Sequence, residues 1–246
     1  MRVIFSVKRF DPATGAQAHL QSYEIEADPR ERVLDGLLYI KDNLDGTLGF
    51  RRSCAHGVCG SDGMIINGVE RLACKTLLRD VTEKAGDVVT LEPLRHLKVE
   101  RDLMVDQDEF FAKYRDAKPY FVPPVGESSE KERLQSPAER EAFDDATACI
   151  LCASCYSACP VLDANGRFLG PAAIVQAARF NLDSRDAGWA ERARTLNGPD
   201  GVWPCESHFQ CTRVCPRGIK VTKNINLTKR LLKSRIPGSG PGASAP

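Results

Sequence analysis

Residues 149–160 read CILCASCYSACP. Cys149, Cys152, Cys155 and Cys159 stand in a CxxCxxCxxxCP run, whose short steps put three thiolates around one cubane of iron and sulfide and send the fourth to a different cluster. A second cluster must therefore draw ligands from elsewhere. They lie downstream in CESHFQCTRVCP, where Cys205, Cys211 and Cys215 precede Pro216.

A full copy of the run starting at Cys205 would carry a cysteine at 208, and that position is His208. By the crossover rule Cys215 completes the four-iron site of Cys149, Cys152 and Cys155, which leaves Cys159, Cys205 and Cys211 for the second site. Three thiolates suit a three-iron cluster that lacks its corner iron. His208 as a fourth ligand is the competing reading, since imidazole binds iron but the spacing is set for the shorter cysteine side chain.

Upstream, residues 51–76 read RRSCAHGVCGSDGMIINGVERLACKT. Cys54 and Cys59 have the CxxxxC spacing of a plant-type two-iron site, with Asp62 at the third ligand position and Cys74 as the last. A carboxylate oxygen stands in for one thiolate on this reading; in the alternative, Asp62 caps a turn beside Ser61. Gly57, Gly60 and Gly63 suit a loop that wraps tightly with its amides turned inward. The three groups use three, four and three cysteines, all ten in the chain.

Disulfides are not expected, because MRVIFSVKRF carries charge inside what would have to be the apolar core of a signal peptide. Zinc prefers CxxC pairs across a longer gap and does not describe CxxCxxCxxxCP. The balance of 34 basic against 33 acidic residues gives no reason to expect nucleic acid, and points to protein partners. No apolar run approaches the roughly 20 residues needed to cross a bilayer, so membrane contact would be peripheral.

The organisation changes near the middle of the 246 residues, of which 42% are hydrophobic. RVIFSVKRF, LQSYEIEA and VVTLEPL alternate like strands, and MIINGVERLA places Asn67 and Gly68 at a hairpin tip. PRERVLDGLLYIKDNL spaces Val33, Leu34, Leu37, Leu38 and Ile40 as a helix packed on that sheet. Further on, PAEREAFDDATAC, GPAAIVQAARFNLDSRD, DAGWAERARTLNG and TKNINLTKRLLKSR are amphipathic helical stretches, two of them opening on proline. The expected class is α+β: an N-terminal β-grasp, plant-type two-iron ferredoxin-like domain over 1–104, and a C-terminal all-α, bacterial two-cluster ferredoxin-like domain over 138–235. Residues 105–137 are expected to connect them, proline-rich from Lys118 to Pro137 and running over a surface, and 236–246 form a low-complexity tail expected to be disordered.

Taken together, RRSCAHGVCGSDG, LACKT, HLKVERDLMVD, CILCASCYSACP, LGPAAIVQAARFNLDSRD and CTRVCPRGI resemble the iron–sulfur subunit of succinate dehydrogenase and fumarate reductase, over nearly all of residues 1–235. The resemblance implies an electron wire in respiratory complex II, with 2Fe-2S, 4Fe-4S and 3Fe-4S clusters in this chain and FAD confined to a partner flavoprotein. It further implies membrane anchor subunits, haem b among their possible contents, a quinone, and a peripheral place on the cytoplasmic face of a bacterial inner membrane. The chain would make and break no substrate bonds itself. Cys54, Cys59, Asp62 and Cys74 would face the flavin, and Cys159, Cys205 and Cys211 the membrane.

The quinone end departs from the ubiquinone-linked pattern. A tryptophan pair is expected there after the CP, where this chain has Val161, Leu162, Asp163 and Ala164, and a histidine after the next cysteine, where it has Glu206. Pro160, Trp203 and His208 are the candidates for the quinone vicinity, and GVWPC, with Trp203, looks more like the menaquinone-linked fumarate reductases. The bland alternative is that Trp203 and His208 pack the cluster lobe. Arg51 and Arg52 are candidates to offset cluster charge, and His56 to hydrogen-bond sulfide. Lys223, Lys229, Arg230, Lys233 and Arg235 are candidates to meet anionic lipid; each has a solvated-surface alternative. Two rival functions are a soluble ferredoxin-like carrier and the iron–sulfur subunit of another flavin oxidoreductase; residues 51–63 argue against the latter.

Overall fold

The computed structural model describes residues 1–15, 17–126 and 131–241. Two compact units emerge: Met1–Gln107 with Ile150–Ala158, and Asp108–Cys149 with Cys159–Pro246. The strands are β1 (Arg2–Arg9), β2 (His19–Glu26), β3 (Gly63–Ile66), β4 (Val69–Leu72), β5 (Val88–Glu92), β6 (Val99–Arg101) and β7 (Met104–Val105). The α-helices are α1 (Val33–Tyr39), α2 (Asp108–Asp116), α3 (Pro137–Glu141), α4 (Asp144–Thr147), α5 (Ser154–Ser157), α6 (Pro160–Ala164), α7 (Pro171–Asn181), α8 (Trp189–Asn197), α9 (Gln210–Arg213) and α10 (Val221–Arg235).

In the first unit the sheet order is β2-β1-β5-β3-β4, with β1 and β5 parallel and the other pairs antiparallel. Alternation along β1 buries Val3, Phe5 and Val7, which meet Val33, Leu34 and Leu37 of α1 in one core. The β3–β4 hairpin turns on Asn67 and Gly68 at φ 49° and 77°, the left-handed pair that a two-residue turn of matching twist requires. Residues 150–158 are built into this unit. Ile150 and Cys152 pack on its core, and Ser157 Oγ donates to buried Glu70 at 2.9 Å while accepting the Arg95 N–H at 2.9 Å. Gly60, at φ 70°, allows the approach, because a Cβ there would lie 2.7 Å from Cys152 Cβ.

A buried polar knot fixes the backbone ahead of the first cysteine loop. The Asp102 carboxylate accepts from Arg9 Nε at 2.9 Å, the Phe10 N–H at 2.8 Å and the Gly49 N–H at 2.7 Å. Tyr23 Oη donates to Asp45 Oδ2 at 2.6 Å. Burial, then the Asp45 acceptor, pushes the Tyr23 phenol up to about 12 despite opposition from Arg9. An unfolded tyrosine ionises near 10, so the raised folded value favours the neutral phenol: its stabilisation is full below about pH 10 and lost as pH rises through the folded value. Between about pH 8 and about pH 11 the urea midpoint should therefore fall, and Tyr23→Phe should flatten that slope.

In the second unit α7 is the central element, buried from Pro171 to Ala178 and packed by α10, α4, α2 and α8. The stretch read as one helix from Pro137 to Cys149 is broken. Ser136 and Glu139 form a capping box at the start of α3, but Phe143, at φ −127°, turns its ring into the core and restarts the chain as α4. The connecting segment is more structured than its prolines suggest. It contains α2, and beyond it the buried Arg192 guanidinium binds the carbonyls of Lys118 at 3.0 Å and Tyr120 at 2.8 Å. Val122 and Ala187 add a backbone bond of 2.8 Å, and Gln135 reaches Asp183 at 3.0 Å. Residues 127–130 of this segment and 242–246 of the tail lie outside the described residues. In the tail's described part the Ser239 N–H bonds Ile236 O at 3.2 Å. No helix among the described residues is long and apolar enough to cross a membrane.

Candidate iron–sulfur centres

All ten cysteines lie among the described residues, and none is joined in a disulfide. The loop from Cys54 to Asp62 turns its amides onto sulfur. Cys54 Sγ accepts the N–H groups of His56 at 3.4 Å, Val58 at 3.4 Å and Cys59 at 3.3 Å, and Cys59 Sγ accepts that of Cys54 at 3.5 Å and meets Ser61 Oγ at 3.2 Å. Ala55, Gly57 and Gly60 take left-handed φ to make this possible. These donors, His56 first, pull the Cys54 thiol down to about 6, which favours the thiolate that iron requires. Cys74 is buried and pushed up to about 12, by burial and then by the neighbouring Asp62 carboxylate.

Asp62 is 3% exposed. Its Oδ2 accepts the Cys74 N–H at 2.5 Å, while Oδ1 is buried without a hydrogen-bond partner. A turn-capping aspartate would leave no buried oxygen to spare, whereas one that binds iron through Oδ1 would. With three thiols and one unspent carboxylate oxygen in one unit, the donor set fits a two-iron cluster. His56 Nδ1 lies 2.6 Å from Cys54 O, so that ring nitrogen is engaged with the backbone. Arg51 is likewise engaged, with Glu100 at 2.6 Å and with the Val105 carbonyl.

The second unit gathers Cys159, Cys205 and Cys211 around one small recess, lined also by Pro160, His208, Phe209 and Thr222. Cys159, at the start of α6, is pushed up to about 11 by burial, against the amides of Val161 and Leu162. Burial also raises Cys211, whose Sγ sits 3.5 Å from Thr222 Oγ1. Cys205 adds to the burial that makes Cys159 and Cys211 hard to ionise, and a cationic iron core would relieve that crowding. His208 Nε2 lies 3.2 Å from Glu206 Oε2, so the imidazole at the rim already has an anionic neighbour. Of the remaining cysteines, Cys152 and Cys155 belong to the first unit and Cys149 and Cys215 to the second. Among the described residues no group of three or more His, Cys, Asp or Glu side chains is arranged to hold a single metal ion.

Residues 4–112 match the family of the 2Fe-2S iron-sulfur cluster binding domain, and residues 145–219 that of the 4Fe-4S dicluster domain. Over 244 residues, 94% of this chain and 96% of the relative, the sequence is 44% identical to the fumarate reductase iron-sulfur subunit of Mycobacterium tuberculosis. The chain belongs to the iron–sulfur subunits of the fumarate reductase and succinate dehydrogenase family. The succinate dehydrogenase iron-sulfur subunit of Coxiella burnetii is 40% identical over 234 residues, 94% of each chain. A chain of the Mycobacterium smegmatis Sdh1 complex in the apo form superposes with a TM-score of 0.86 at 29% identity, covering 96% of this chain and 97% of that one.

This iron–sulfur subunit is thus the electron-transfer part of an oxidoreductase, with the expected two-iron β-rich domain followed by a helical dicluster domain. Several of its working contacts carry no sequence signal. Trp203 is separate from Pro160 and His208: it does not line the recess, donating from Nε1 to Asn197 at 3.0 Å with the Lys233 ammonium 5.8 Å from its ring centroid. Arg235 stands 4.5 Å over Trp189, and Lys229 Nζ donates to Cys205 O at 2.5 Å. Three of the five α10 cations thus act within the fold, and Lys229 pins the loop that carries Cys205.

Proposed function

We propose that this subunit relays electrons one at a time between FAD on a partner flavoprotein, where succinate and fumarate interconvert, and a quinone reached through a membrane anchor. Cys54, Cys59, Asp62 and Cys74 would hold the 2Fe-2S cluster, Cys149, Cys152, Cys155 and Cys215 the 4Fe-4S cluster, and Cys159, Cys205 and Cys211 the 3Fe-4S cluster. Once bound, the clusters supply reversible one-electron storage at potentials set by ligands, hydrogen bonds and burial. The protein's own part is to hold the sulfurs in place: amides favour the Cys54 thiolate, Thr222 meets Cys211, and Lys229 restrains the loop of Cys205.

The observation that carries this reading is the recess that collects three thiols of the dicluster domain while position 208 offers an imidazole paired with Glu206. Pro160 and His208 on its lining make it the natural quinone end. Menaquinone is favoured over ubiquinone, on GVWPC and on Glu206 at the position where the ubiquinone-linked pattern has histidine. A peripheral place on the cytoplasmic face of a bacterial membrane, held by anchor subunits with or without haem b, completes the assignment.

Electron paramagnetic resonance on the membrane-extracted complex tests it. Dithionite reduction should reveal the two-iron signal, and air oxidation a three-iron signal; an oxidised sample without the latter would refute the reading of position 208. In membranes, turnover should be faster with a menaquinone analogue. Turnover restricted to ubiquinone would remove that preference.

A further inference from the structure

We infer that Lys75 is a redox-positioning residue of the two-iron site, holding an ammonium against the cysteine loop and raising the potential of the cluster there. The inference rests on the ligand reading of Cys54, Cys59, Asp62 and Cys74, and goes beyond it to a residue that binds no iron.

The geometry starts at Gly57. It sits in the loop between Cys54 and Cys59, and its φ of 81° belongs to the left-handed region. Against it lies the Lys75 side chain: a Cβ built on Gly57 would stand 2.6 Å from Lys75 Cδ, 2.7 Å from Cγ and 3.4 Å from Cε. Three consecutive methylenes are therefore laid over the cysteine loop at Gly57. A Cβ at position 57 would have to displace that stem, and at φ 81° it would be strained as well. Lysine stems bury their methylenes on a surface while the charged head stays in water, and here the surface is the cluster loop itself.

Two further observations make the charge matter. Lys75 follows Cys74 directly and is held in the short turn Ala73–Lys75, closed by Thr76 Oγ1 donating to Leu72 O at 2.9 Å, so the stem starts from a fixed place. Among the described residues the Lys75 ammonium has no ion-pair or hydrogen-bond partner, unlike Arg51, which is spent on Glu100. An unneutralised cation held beside a site that gains one negative charge, when an electron arrives from reduced flavin, stabilises the reduced form more than the oxidised one. Because Lys75 is exposed, the effect is modest and sensitive to salt.

The test is a mediator-controlled redox titration of the two-iron paramagnetic signal in the whole complex, for the wild type and for Lys75→Met, Lys75→Arg and Lys75→Glu. Methionine keeps the apolar cover and removes the charge. Its signal should keep its shape but titrate at a more negative potential, corresponding to a shift of about twofold to tenfold in the reduced-to-oxidised ratio, or about 18–59 mV for a one-electron couple. Arginine should restore the wild-type potential, glutamate should lower it further than methionine, and roughly 1 M salt should shrink every difference. A purely structural lysine would give neither the arginine rescue nor the salt dependence. A Lys75→Met complex with an intact signal at the wild-type potential overturns the proposal and leaves the ligand reading standing. Absence of any two-iron signal in the wild type overturns the ligand reading, and the proposal with it.

Discussion

Replacing Arg192 with methionine is expected to destabilise the second unit by about 3–5 kcal/mol. The guanidinium is wholly buried and paired with Asp186, itself 1% exposed, at 2.6 and 2.8 Å. It also satisfies Asn181 Oδ1 at 3.2 Å and the carbonyls of Lys118 and Tyr120. Removing it leaves a buried carboxylate without its cation and two carbonyls without their donor, and desolvation of the stranded groups outweighs anything the methionine gains by packing. Against a typical stability of roughly 5–15 kcal/mol that loss is large. Urea denaturation followed by far-ultraviolet circular dichroism should show it as a lower midpoint. Adding Asp186→Leu to the same protein should recover part of the loss, because two apolar groups strand no charge; a double variant weaker than the sum of both single changes would contradict the account.

The second large effect is expected at position 208. His208→Cys restores the cysteine that the run from Cys205 lacks, on the recess already lined by Cys159, Cys205 and Cys211. If the recess holds the proposed three-iron cluster, a fourth thiolate there would give a corner iron a ligand, so the three-iron signal of the air-oxidised complex should disappear and a new signal appear only on reduction. The extra anionic ligand disfavours the incoming electron, and each fall of about 59 mV reduces electron occupancy about tenfold. Quinone-linked turnover should drop accordingly, while oxidation of succinate by a dye that accepts electrons directly from the flavin should be retained. An unchanged three-iron signal would mean that residue 208 does not reach the vacant corner.

What could be read in the residues, and what could not, follows from where the information lies. The hairpin at Asn67–Gly68 and the alternation of β1 are local, and a strand or a turn is specified by its own residues. Both are where the sequence places them, as are α7 and α10. Four-residue helices such as α5 and α9 are too short to show a period, so they left no pattern to read. The stretch from Pro137 to Cys149 has helical composition throughout, yet burial of the Phe143 ring outweighs continuation of the helix. Arg192 sits among charged neighbours in an ordinary amphipathic pattern, and nothing in the spacing tells a buried arginine from a solvated one. At the candidate sites, thiol spacing is a sequence property, but the unspent Oδ1 of Asp62, the turn of His56 to the backbone and the removal of Trp203 from the recess depend on packing.

The inclusion of Ile150–Ala158 in the first unit has a consequence for how the molecule is made. A chain emerging from the ribosome presents Met1–Gln107 first, yet that portion lacks Ile150 and Cys152 from its core and Ser157 from Glu70. Domains usually fold in order of synthesis. Here the first unit can close only after residues 108–149 have also appeared, while the second still waits for residues 159 onward, so the two bodies mature interleaved rather than one after the other.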